Sequence, residues 1–512
     1  MRTSVLSYLE ETAQRLPNKV AYFDLENEIT FLELRNRSID LAFTIKEKIE
    51  GRRNPILIYL PKTVESIVGF MGVLYSGNFY TPTDVRFPLE KVKSVIETLN
   101  PSAIIVDSRT REKVMKIDGI EQKCLINIDD ILESNRYDEA QTLIDQILDV
   151  DPVYVLFTSG STGTPKGVII NNHSLINHVE WATTMLHIDE KTIMGNQSPF
   201  YFDMSTQDIY TPLKTGATLG IIPVTYFAFP IKVLEFVKER NINFLFWVPS
   251  AFVSIANYDL LKHVILDQVE CIMFGGEVMP VKQLNYWRTY LPNLKTIAHI
   301  YGPTEATVYC TYYIVDREFG DTEVLPLGKA CRNTGLLVLD DDGNVINEDQ
   351  TNVLGELCVY GSSLSAGYWD DEQKTNEKYV NNPCCKYYKE KMYLTGDLVY
   401  YNERKELVFA GRKDFQIKHS GYRIELGEIE SAVMGMPDVK NACASYHHEQ
   451  KQIVLFYQGD LQEEDVKKYL LSVIPKYMVP TIYYQLRSFP YNDNGKIDRK
   501  TLEERYIKQV FE

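Results

Sequence analysis

Short apolar runs alternate with helix-like patterns from the start of the chain to about residue 300. The runs PILIYL (55–60), SAIIVD (102–107) and VYVLF (153–157) are uninterrupted and rich in β-branched residues. Runs of this kind are typical of strands buried on both faces of a parallel or mixed sheet. The segment 89–99, between two of these runs, has apolar residues at helical spacing. The pattern therefore predicts an α/β fold.

The pattern changes near residue 311 and again near residue 414. Between these positions, short strand-like segments such as 335–340 and 355–360 are separated by clusters of turn residues, which favours a small β-rich unit. After residue 414, two helical segments accompany the strand-like runs NACASYHH and QIVLFYQG. We therefore predict a large domain over residues 1–413, with a β-rich subdomain at about 311–413, and a small α+β domain over residues 414–512.

The balance of charge argues against a polyanionic partner. The 512 residues include 54 Lys and Arg and 70 Asp and Glu, so the formal net charge is −16. An acidic chain repels nucleic acid in bulk, although a local basic groove stays open as an alternative. No nucleic-acid partner is expected.

Export and membrane insertion are also not expected. Apolar residues at positions 5–16 have helical spacing but are interrupted by Glu10 and Glu11, whereas a signal peptide needs an apolar core. The uncharged stretch 215–231 contains two glycines and two prolines, which disfavours a membrane helix. Eight cysteines without a CxxC pair favour reduced thiols, and the adjacent Cys384 and Cys385 lack nearby histidines for a metal site. These features predict a soluble cytoplasmic protein.

The segment LFTSGSTGTPKGVII, 156–170, places glycines and five hydroxyl residues directly after a predicted strand. Backbone N–H groups and hydroxyls of such a loop bind phosphate oxygens, and Lys166 adds a positive charge. A Walker A loop does not fit, because Pro165 stands where its second glycine is required and Gly167 replaces the magnesium-binding hydroxyl. A flexible Ser/Gly linker is the other alternative, which the proline and lysine directly after a buried strand disfavour.

The same segment resembles the phosphate loop of the adenylate-forming superfamily, which includes acyl-CoA synthetases, luciferases and nonribosomal peptide adenylation domains. The other motifs of that family occur in order as YGPTEAT (301–307), YLTGDL (393–398), GRKDFQIKHSGYRIELGEIE (411–430) and NGKIDRK (494–500). The resemblance covers essentially the whole chain and is strongest for amino-acid-activating members, in particular free-standing D-alanine–D-alanyl carrier protein ligases. It implies two α/β subdomains and a β-rich subdomain, followed by a small mobile C-terminal domain.

The resemblance further implies ATP as a substrate. The residues implied to bind ATP are Thr158, Ser159, Thr162, Lys166, Gly276, Glu277, Tyr301, Asp397, Arg412 and Lys496. The loop residues would hold the β- and γ-phosphates, and the Gly275–Glu277 run would line the adenine edge. Tyr301 would stack on adenine, Asp397 would bind both ribose hydroxyls, and Arg412 would contact the ribose and a phosphate. The alternative roles are core packing for Tyr301 and a solvated surface charge for Asp397 and Arg412.

Three residues are implied to act in catalysis. Thr304 would bind the α-phosphate, and Glu305 would hold Mg²⁺, a hard ion that binds carboxylate and phosphate oxygens. Lys496, within NGKIDRK, would touch both the substrate carboxylate and the α-phosphate. Two anions must approach each other in this reaction, and a positioned ammonium offsets their repulsion in the transition state.

The substrate class is predicted from Asp203, within FYFDMS (200–205). Amino-acid-activating members place there the carboxylate that pairs with the α-ammonium of the substrate, and ligases for fatty or aryl acids usually lack it. A buried carboxylate needs a partner cation. The alternative role of Asp203 is a helix N-cap.

The residues implied to line the side-chain pocket are Met204, Gln207, Trp247, Met273, Gly275, Ile300, Val308 and Tyr309. The alternative role of each is an ordinary core residue. D-alanine ligases typically carry Cys at the position of Gly275 and a small residue at that of Trp247, so this chain departs from them. We expect the missing side chain at Gly275 to enlarge the pocket at one wall. The rings of Trp247 and Tyr309 are expected to remove more volume than Gly275 adds. The pocket is therefore predicted to take a small amino acid, of alanine or glycine size.

The family moves its C-terminal domain between two half-reactions. Asp414 resembles the residue about which that domain rotates in the family. The loop around Gly421 resembles the loop that faces the active site when the phosphopantetheine thiol enters. Because the chain has no attached carrier domain, the thiol acceptor is expected to be a separate carrier protein or coenzyme A.

The resulting prediction is an ATP-dependent ligase that forms aminoacyl-AMP and then transfers the aminoacyl group to a carrier-protein thiol. An acyl- or aryl-coenzyme A synthetase of the same fold is the first alternative, and Asp203 argues against it. A non-catalytic scaffold is the second alternative, and the intact charged residues of the motifs argue against that.

Overall fold

The computed structural model of the chain describes residues 2–158, 165–447, 450–490 and 497–507. The α-helices in these ranges are α1 (Leu6–Arg15), α2 (Phe31–Lys48), α3 (Val64–Tyr75), α4 (Leu89–Leu99), α5 (Ser108–Val114), α6 (Ala140–Asp145), α7 (Asn172–Met185), α8 (Met204–Thr215), α9 (Pro230–Glu239), α10 (Pro249–Asn257), α11 (Val281–Tyr290), α12 (Glu372–Lys378), α13 (Leu426–Met434), α14 (Glu463–Val473) and α15 (Arg499–Ile507). The strands are β1 (Val20–Phe23), β2 (Glu28–Thr30), β3 (Pro55–Tyr59), β4 (Phe79–Pro82), β5 (Ala103–Val106), β6 (Leu125–Asn127), β7 (Pro152–Thr158), β8 (Lys166–Asn171), β9 (Ile193–Asn196), β10 (Thr218–Ile221), β11 (Phe244–Trp247), β12 (Cys271–Gly275), β13 (Thr296–Tyr301), β14 (Thr311–Ile314), β15 (Lys329–Ala330), β16 (Thr334–Leu339), β17 (Gly355–Gly361), β18 (Tyr379–Asn381), β19 (Lys391–Tyr401), β20 (Leu407–Arg412), β21 (Gln416–His419), β22 (Tyr422–Glu425), β23 (Val439–His447), β24 (Gln452–Gly459) and β25 (Ile482–Gln485).

The chain divides into two compact units. The first unit consists of Met1–Val85, Leu99–Leu156 and Gly167–Lys413. The second consists of Arg86–Thr98, Phe157–Lys166 and Asp414–Glu512. The boundary between Lys413 and Asp414 falls where the sequence pattern changes. The sequence pattern did not indicate that Arg86–Thr98 and Phe157–Lys166 belong to the second unit.

The first unit contains the two large sheets that the apolar runs predict. One sheet has nine strands in the order β15-β14-β13-β12-β11-β9-β10-β1-β2, and the other has six in the order β6-β5-β3-β4-β7-β8. The neighbouring strands from β13 to β1 in the first sheet run parallel. In the second sheet, β3 is parallel to both β4 and β5. The α/β prediction is confirmed.

The central strands are apolar along their whole length because both faces of the sheet are covered. Every residue of β11 and β12 is buried. Successive side chains of a strand point to opposite faces, so Phe244 and Phe246 join one core cluster while Leu245 and Trp247 join the other. Apolar and polar residues therefore do not alternate along these strands, because neither face of the sheet is exposed to solvent.

The β-rich part of the first unit is a five-stranded antiparallel sheet. Its order is β16-β17-β19-β18, and β20 also pairs with β19. This sheet occupies residues 334–412. The predicted β-rich subdomain is confirmed in type.

The second unit contains an antiparallel hairpin, β21-β22, and a three-stranded sheet in the order β23-β24-β25. The hairpin turn consists of Ser420 and Gly421, with φ angles of +52° and +82°. Two consecutive residues with positive φ are typical of the type I′ turn, which suits the twist of a hairpin. Gly421 therefore lies at the tip of this hairpin. The runs NACASYHH and QIVLFYQG pair antiparallel in β23 and β24, as predicted.

Two further comparisons with the sequence concern membranes and metals. Among the helices that the structure describes, none combines the length and the apolar character needed to cross a bilayer. Likewise, the described side chains include no group of three or more His, Cys, Asp or Glu suited to a metal ion. Cys384 and Cys385 are both free cysteines.

Candidate active site

Most predicted site residues of the first unit follow the carboxyl ends of three parallel strands. Asp203 follows β9, Gly276 and Glu277 follow β12, and Thr304 and Glu305 follow β13. Strand β9 lies between β10 and β11, so the chain leaves β9 toward one side and returns on the other. Ligands of open α/β sheets bind outside the carboxyl ends of the strands at such a switch point. This edge of the nine-stranded sheet is therefore the candidate active site.

Asp397 binds two other predicted ATP-binding residues, Tyr301 and Arg412. The Tyr301 hydroxyl donates a hydrogen bond to one carboxylate oxygen of Asp397, and Nη1 of Arg412 donates to the other at 2.5 Å. Asp397 and Arg412 are directly opposite each other on β19 and β20. Burial and the Asp397 charge raise the pKa of Tyr301 well above its ordinary value, so the phenol stays a hydrogen-bond donor. The motifs did not indicate this link, because each residue belongs to a different motif.

The predicted metal ligand Glu305 is fully buried in the 3₁₀ turn Thr304–Ala306. The Tyr368 hydroxyl donates to its Oε1 at 2.8 Å, and the Ser365 N–H donates to its backbone oxygen at 2.9 Å. Residues 366–369 pair with the start of β8, the strand that follows the glycine-rich loop. The structure therefore connects Glu305 to the chain directly after that loop. Tyr368 was missed by the sequence analysis because its partner is 63 positions away.

Of the residues predicted to bind phosphate in the glycine-rich loop, the structure describes only those at its two ends. Thr158 ends β7, and its buried Oγ1 has no hydrogen-bond partner among the residues that the structure describes. Lys166 begins β8 and is 9% exposed. Ser159, Thr162 and the predicted catalytic Lys496 lie outside the described residues.

Of the residues predicted to line the adenine edge, Gly276 forms a turn that requires glycine, and Glu277 binds the N-terminus of α10. Gly276 has a φ of +86°, a conformation that side-chain-bearing residues rarely adopt. The Glu277 carboxylate accepts a hydrogen bond from the Ser250 N–H, at the start of α10, at 3.0 Å. A carboxylate at a helix N-terminus satisfies a free N–H and complements the helix dipole. The side chain of Glu277 therefore has a structural contact that the motif did not predict.

Asp203 directly precedes α8 and is half-buried. Its side chain makes no capping hydrogen bond to the helix. The structure therefore does not support the alternative that Asp203 is present to cap α8.

Six of the eight predicted pocket residues are buried on one side of the nine-stranded sheet. These are Met204, Gln207, Met273, Ile300, Val308 and Tyr309. The Tyr309 hydroxyl donates to Oε1 of Gln207 at 2.5 Å, and Nε2 of Gln207 lies 3.4 Å from the Met273 sulfur. The polar groups of this wall therefore satisfy one another.

The structure contradicts the prediction that Trp247 lines this pocket. Trp247 pairs with Phe274 across β11 and β12, so both side chains point to the opposite face from Met273. The indole packs against Phe252 and Trp287, and its Nε1 donates to a backbone oxygen of the neighbouring strand β9 at 2.8 Å. Trp247 is a core residue, and its replacement is not expected to widen the side-chain range of the substrate.

The structure also does not show the extra pocket volume that was predicted at Gly275. A Cβ atom at Gly275 would lie 2.6 Å from the backbone oxygen of Ile300 and 2.7 Å from its Cγ1. Contacts this short require the neighbour to move. Ile300 therefore fills the space that the absent side chain was expected to free.

The loop between Tyr301 and Tyr309 is held in an unusual conformation. Thr307 and Val308 are both β-branched and have φ angles of +53° and +73°, a region that such residues rarely occupy. A Cβ atom on Gly302 would lie 2.3 Å from the Tyr309 Cα, so glycine is needed where the loop doubles back. Strain of this kind is common at active sites, where surrounding contacts hold it.

A small recess lies beside Tyr309. It is lined by Asn177, His178, Trp181, Thr307, Tyr309, Cys331, Arg332, Thr334 and Ser363. Three side-chain atoms buried there have no hydrogen-bond partner within the described part of the chain, namely His178 Nε2, Thr334 Oγ1 and Ser363 Oγ. The His178 ring meets the Tyr309 ring edge-on with centroids 4.7 Å apart. Burial lowers the pKa of His178 to about 3.

The low pKa of His178 predicts a loss of stability in acid. The unfolded chain binds a proton on this imidazole below about pH 6.5, whereas the folded chain does so only near pH 3. Stability therefore falls as pH decreases through this window, by at most ~1.4 kcal/mol per pH unit from this residue. We expect His178→Gln to show a shallower decline of the unfolding free energy between pH 6.5 and 4, measured by urea titration. His173→Gln, an exposed position on the same helix, is the control, and an equal change in both variants would contradict the assignment.

In the second unit, Asp414 is the first residue after the boundary, and its Oδ1 accepts a hydrogen bond from the Gln416 N–H at 3.3 Å. Gly421 lies in the second of the two turn positions of the β21-β22 hairpin. The hinge role of Asp414 and the thiol-facing role of Gly421 stay predictions.

Comparison with known proteins gives a consistent family. A family model described as AMP-binding enzyme matches residues 9–369. Zwittermicin A synthase ZmaJ of Bacillus cereus is 30% identical over 98% of this chain and 95% of that protein. The D-alanine--D-alanyl carrier protein ligase of Bacillus licheniformis is 29% identical over 98% of this chain and 99% of that protein. Six further relatives are much longer, and the chain spans 8–19% of their length.

The fold also matches solved structures. The adenylation domain AlmE of Vibrio cholerae, solved in complex with glycyl-adenosine-5'-phosphate, has a TM-score of 0.85 at 19% identity, over 99% of this chain and 98% of that one. At this identity the likeness concerns the fold alone. With a family model that spans well over half of the chain, and with the motifs and the sheet edge in agreement, the chain belongs to the family of AMP-binding enzymes and is an adenylate-forming enzyme of the nonribosomal peptide adenylation type.

Proposed function

We propose that this enzyme activates a small amino acid as aminoacyl-AMP and transfers the aminoacyl group to the phosphopantetheine thiol of a separate carrier protein. One observation carries the proposal: Asp203 follows β9 at the switch point of the nine-stranded sheet, next to a wall in which Tyr309 and Gln207 satisfy each other. A carboxylate at this edge suits the α-ammonium of an amino acid. A wall in which the polar side chains of Tyr309 and Gln207 bind each other suits a small apolar side chain.

The first half-reaction joins the amino acid to AMP. A carboxylate oxygen of the amino acid attacks the α-phosphorus of ATP, the bond to the β-phosphate oxygen breaks, and pyrophosphate leaves. Lys496 would neutralise the two approaching anions, and Thr304 would donate a hydrogen bond to the α-phosphate. Donors fixed in advance stabilise the charge that develops in such a transition state.

Mg²⁺ fits the residues at the same edge. Glu305 supplies one buried carboxylate, held by the Tyr368 hydroxyl. Mg²⁺ usually binds one or two carboxylates together with substrate phosphates, which agrees with a single acidic ligand in the described part of the site. When bound, the ion would neutralise charge on the pyrophosphate that leaves. Tyr368 would keep the Glu305 carboxylate in one orientation.

The second half-reaction transfers the aminoacyl group. The thiol gives up its proton to solvent, its sulfur attacks the aminoacyl carbonyl carbon, the bond from that carbon to the AMP phosphate oxygen breaks, and AMP leaves. A free-standing relative of nearly the same length is named a D-alanine--D-alanyl carrier protein ligase, which supports a separate carrier as the acceptor. Because Trp247 lies outside the pocket, size selection is assigned to Tyr309, Gln207 and Ile300.

The proposal is tested by amino-acid-dependent ATP–pyrophosphate exchange with a panel of D- and L-amino acids, followed by thioester formation on a phosphopantetheinylated carrier. We expect alanine or glycine to support the fastest exchange. Neighbours such as alanine and serine should both be accepted, because an apolar pocket discriminates one small group by only ~1–3 kcal/mol. Preference for leucine, phenylalanine or an aryl acid would contradict the proposal.

The proposed hinge gives a prediction about the second half-reaction. Proline fixes φ near −65° and removes an N–H, so Asp414→Pro should restrict rotation at the boundary between the units. We expect near-normal pyrophosphate exchange with slow thioester formation. Asp414→Asn is the control, because it keeps a side-chain acceptor for the Gln416 N–H and a free φ. Normal rates of both steps in Asp414→Pro would rule out the hinge.

A further inference from the structure

The Lys62 side chain reaches the carboxyl edge of the nine-stranded sheet. Its Nζ donates hydrogen bonds to the backbone oxygens of Gln197 at 3.1 Å, Asn196 at 3.3 Å and Ile222 at 3.3 Å. Asn196 ends β9, and Ile222 directly follows β10. The ammonium therefore binds three carbonyl groups at the switch point of the sheet.

Lys62 comes from the other large sheet of the first unit. It lies between β3, a strand of the six-stranded sheet, and α3. Its ammonium also lies 5.9 Å from the centre of the Phe200 ring, over the ring face, a favourable cation–π geometry. One side chain thus connects the loop after β3 to the segment 196–200, which begins at the last residue of β9.

The same segment is held from two other sides. Nδ2 of Asn196 donates to Oδ2 of Asp208 at 2.7 Å and to the backbone oxygen of Ser198 at 3.1 Å. Oε1 of Gln197 accepts a hydrogen bond from the Val248 N–H at 3.3 Å. Asp208 lies on α8, which begins directly after Asp203. These contacts therefore fix the connection between β9 and α8 at both ends: at Asn196 and Gln197, and at Asp208 on α8.

The electrostatics make this network sensitive to the charge on Lys62. Asn196 and Asp208 are fully buried. Burial raises the pKa of Asp208 to about 8, while the positive charge of Lys62 opposes that rise. Removal of the ammonium would take one donor from each of three carbonyl groups, of which that of Asn196 keeps the Ile222 N–H, and the loss of a donor to a carbonyl group favours rearrangement. Lys62 contacts the connection 197–203 at its start, through the Asn196 and Gln197 oxygens and the Phe200 ring.

We propose that Lys62 is a positioning residue for substrate selection, because it fixes the connection between β9 and α8 so that the Asp203 carboxylate meets the α-ammonium of the amino acid. This inference rests on the proposed function of Asp203. A misplacement of about 1 Å at a reacting or binding group is sufficient for a large loss. Lys62 does not need to touch the substrate for this effect.

The test is pyrophosphate exchange by the full chain with Lys62→Met, which keeps the length of the side chain and removes its charge. We expect the KM for alanine to rise about tenfold or more, with the KM for ATP changed less than twofold. The rate ratio between alanine and propionate, which lacks the amino group, should fall in parallel. Lys62→Arg, which can donate to the same carbonyl groups, should restore most of that ratio.

Lys48→Met is the matched control, because Lys48 also donates to one backbone oxygen of the first unit, that of Leu125 at 3.1 Å. We expect it to change the thermal unfolding midpoint without changing the ratio of alanine to propionate. An unchanged ratio in Lys62→Met, or an equal rise of both KM values, would overturn the positioning role. If the wild-type enzyme showed no exchange with any amino acid, the proposed function itself would fail, before any variant is compared.

Discussion

Lys496→Ala should slow aminoacyl-AMP formation by about 10²–10³-fold or more, the usual effect of losing one pre-organised electrostatic donor. Transfer of the aminoacyl group from supplied aminoacyl-AMP to the carrier thiol should continue at a normal rate. The reason is chemical: only the first half-reaction brings two anions together. In the second, the carbonyl carbon is already activated and the leaving group is AMP.

The two half-reactions are measured separately. Pyrophosphate exchange reports adenylation, and thioester formation from synthetic aminoacyl-AMP reports transfer. Lys467→Ala, an exposed lysine on α14 of the second unit, is the control for general effects of charge loss. An equal decrease of both half-reactions in a folded Lys496→Ala enzyme would show that Lys496 does not serve adenylation alone.

The fold could be predicted because its strands carry local information. Strands β3, β5 and β7 are short apolar runs with charged or turn residues around them, and α4 begins and ends at the predicted residues 89 and 99. What the pattern could not predict is pairing over long distances. The parallel pairing of β9 with β11, for example, depends on residues 50 positions apart.

The site was predicted where a motif carries the chemistry and missed where a contact joins distant segments. Asp397 and Arg412 were identified separately, but the hydrogen bond from Tyr301 to Asp397 joins β13 to the β-rich sheet across 96 positions. Glu305 was identified, while its partner Tyr368 belongs to no motif considered. Long-range hydrogen bonds leave no local pattern in a single sequence.

The error at Trp247 has a different cause. Alignment with a family assigns a position, but the face of a strand depends on side-chain alternation, and one residue of shift reverses it. In β11, Phe246 shares the face of Met273, whereas Trp247 shares the face of Phe274. A small pocket therefore depends on Tyr309 and its hydrogen bond to Gln207, and not on Trp247.

The second large effect is expected for Asp203→Ala, which should abolish selection for the α-amino group. Removal of one member of a buried charge pair costs about 3–5 kcal/mol, and half-burial of Asp203 places the expected loss near the lower end. A loss of ~3 kcal/mol corresponds to a roughly 100-fold decrease in the specificity constant for alanine. The specificity constant for propionate should change little or increase, since the carboxylate contributes nothing to a substrate without an ammonium group.

The measurement is exchange with alanine and propionate by wild type, Asp203→Ala and Asp203→Asn. The asparagine variant keeps the size and the hydrogen-bonding capacity of the side chain but not its charge, so it should lose most of the same selectivity. Asp40→Asn, on α2, changes a buried carboxylate that accepts hydrogen bonds from Ser134 and Tyr137 and is not assigned to the substrate, and it should keep a clear preference for alanine. If Asp203→Ala retained the wild-type ratio of alanine to propionate, the pairing of Asp203 with the ammonium would be wrong. An acyl-activating enzyme would then be the better description, because a site without a cation-binding carboxylate has no means to select an amino acid over the corresponding simple acid.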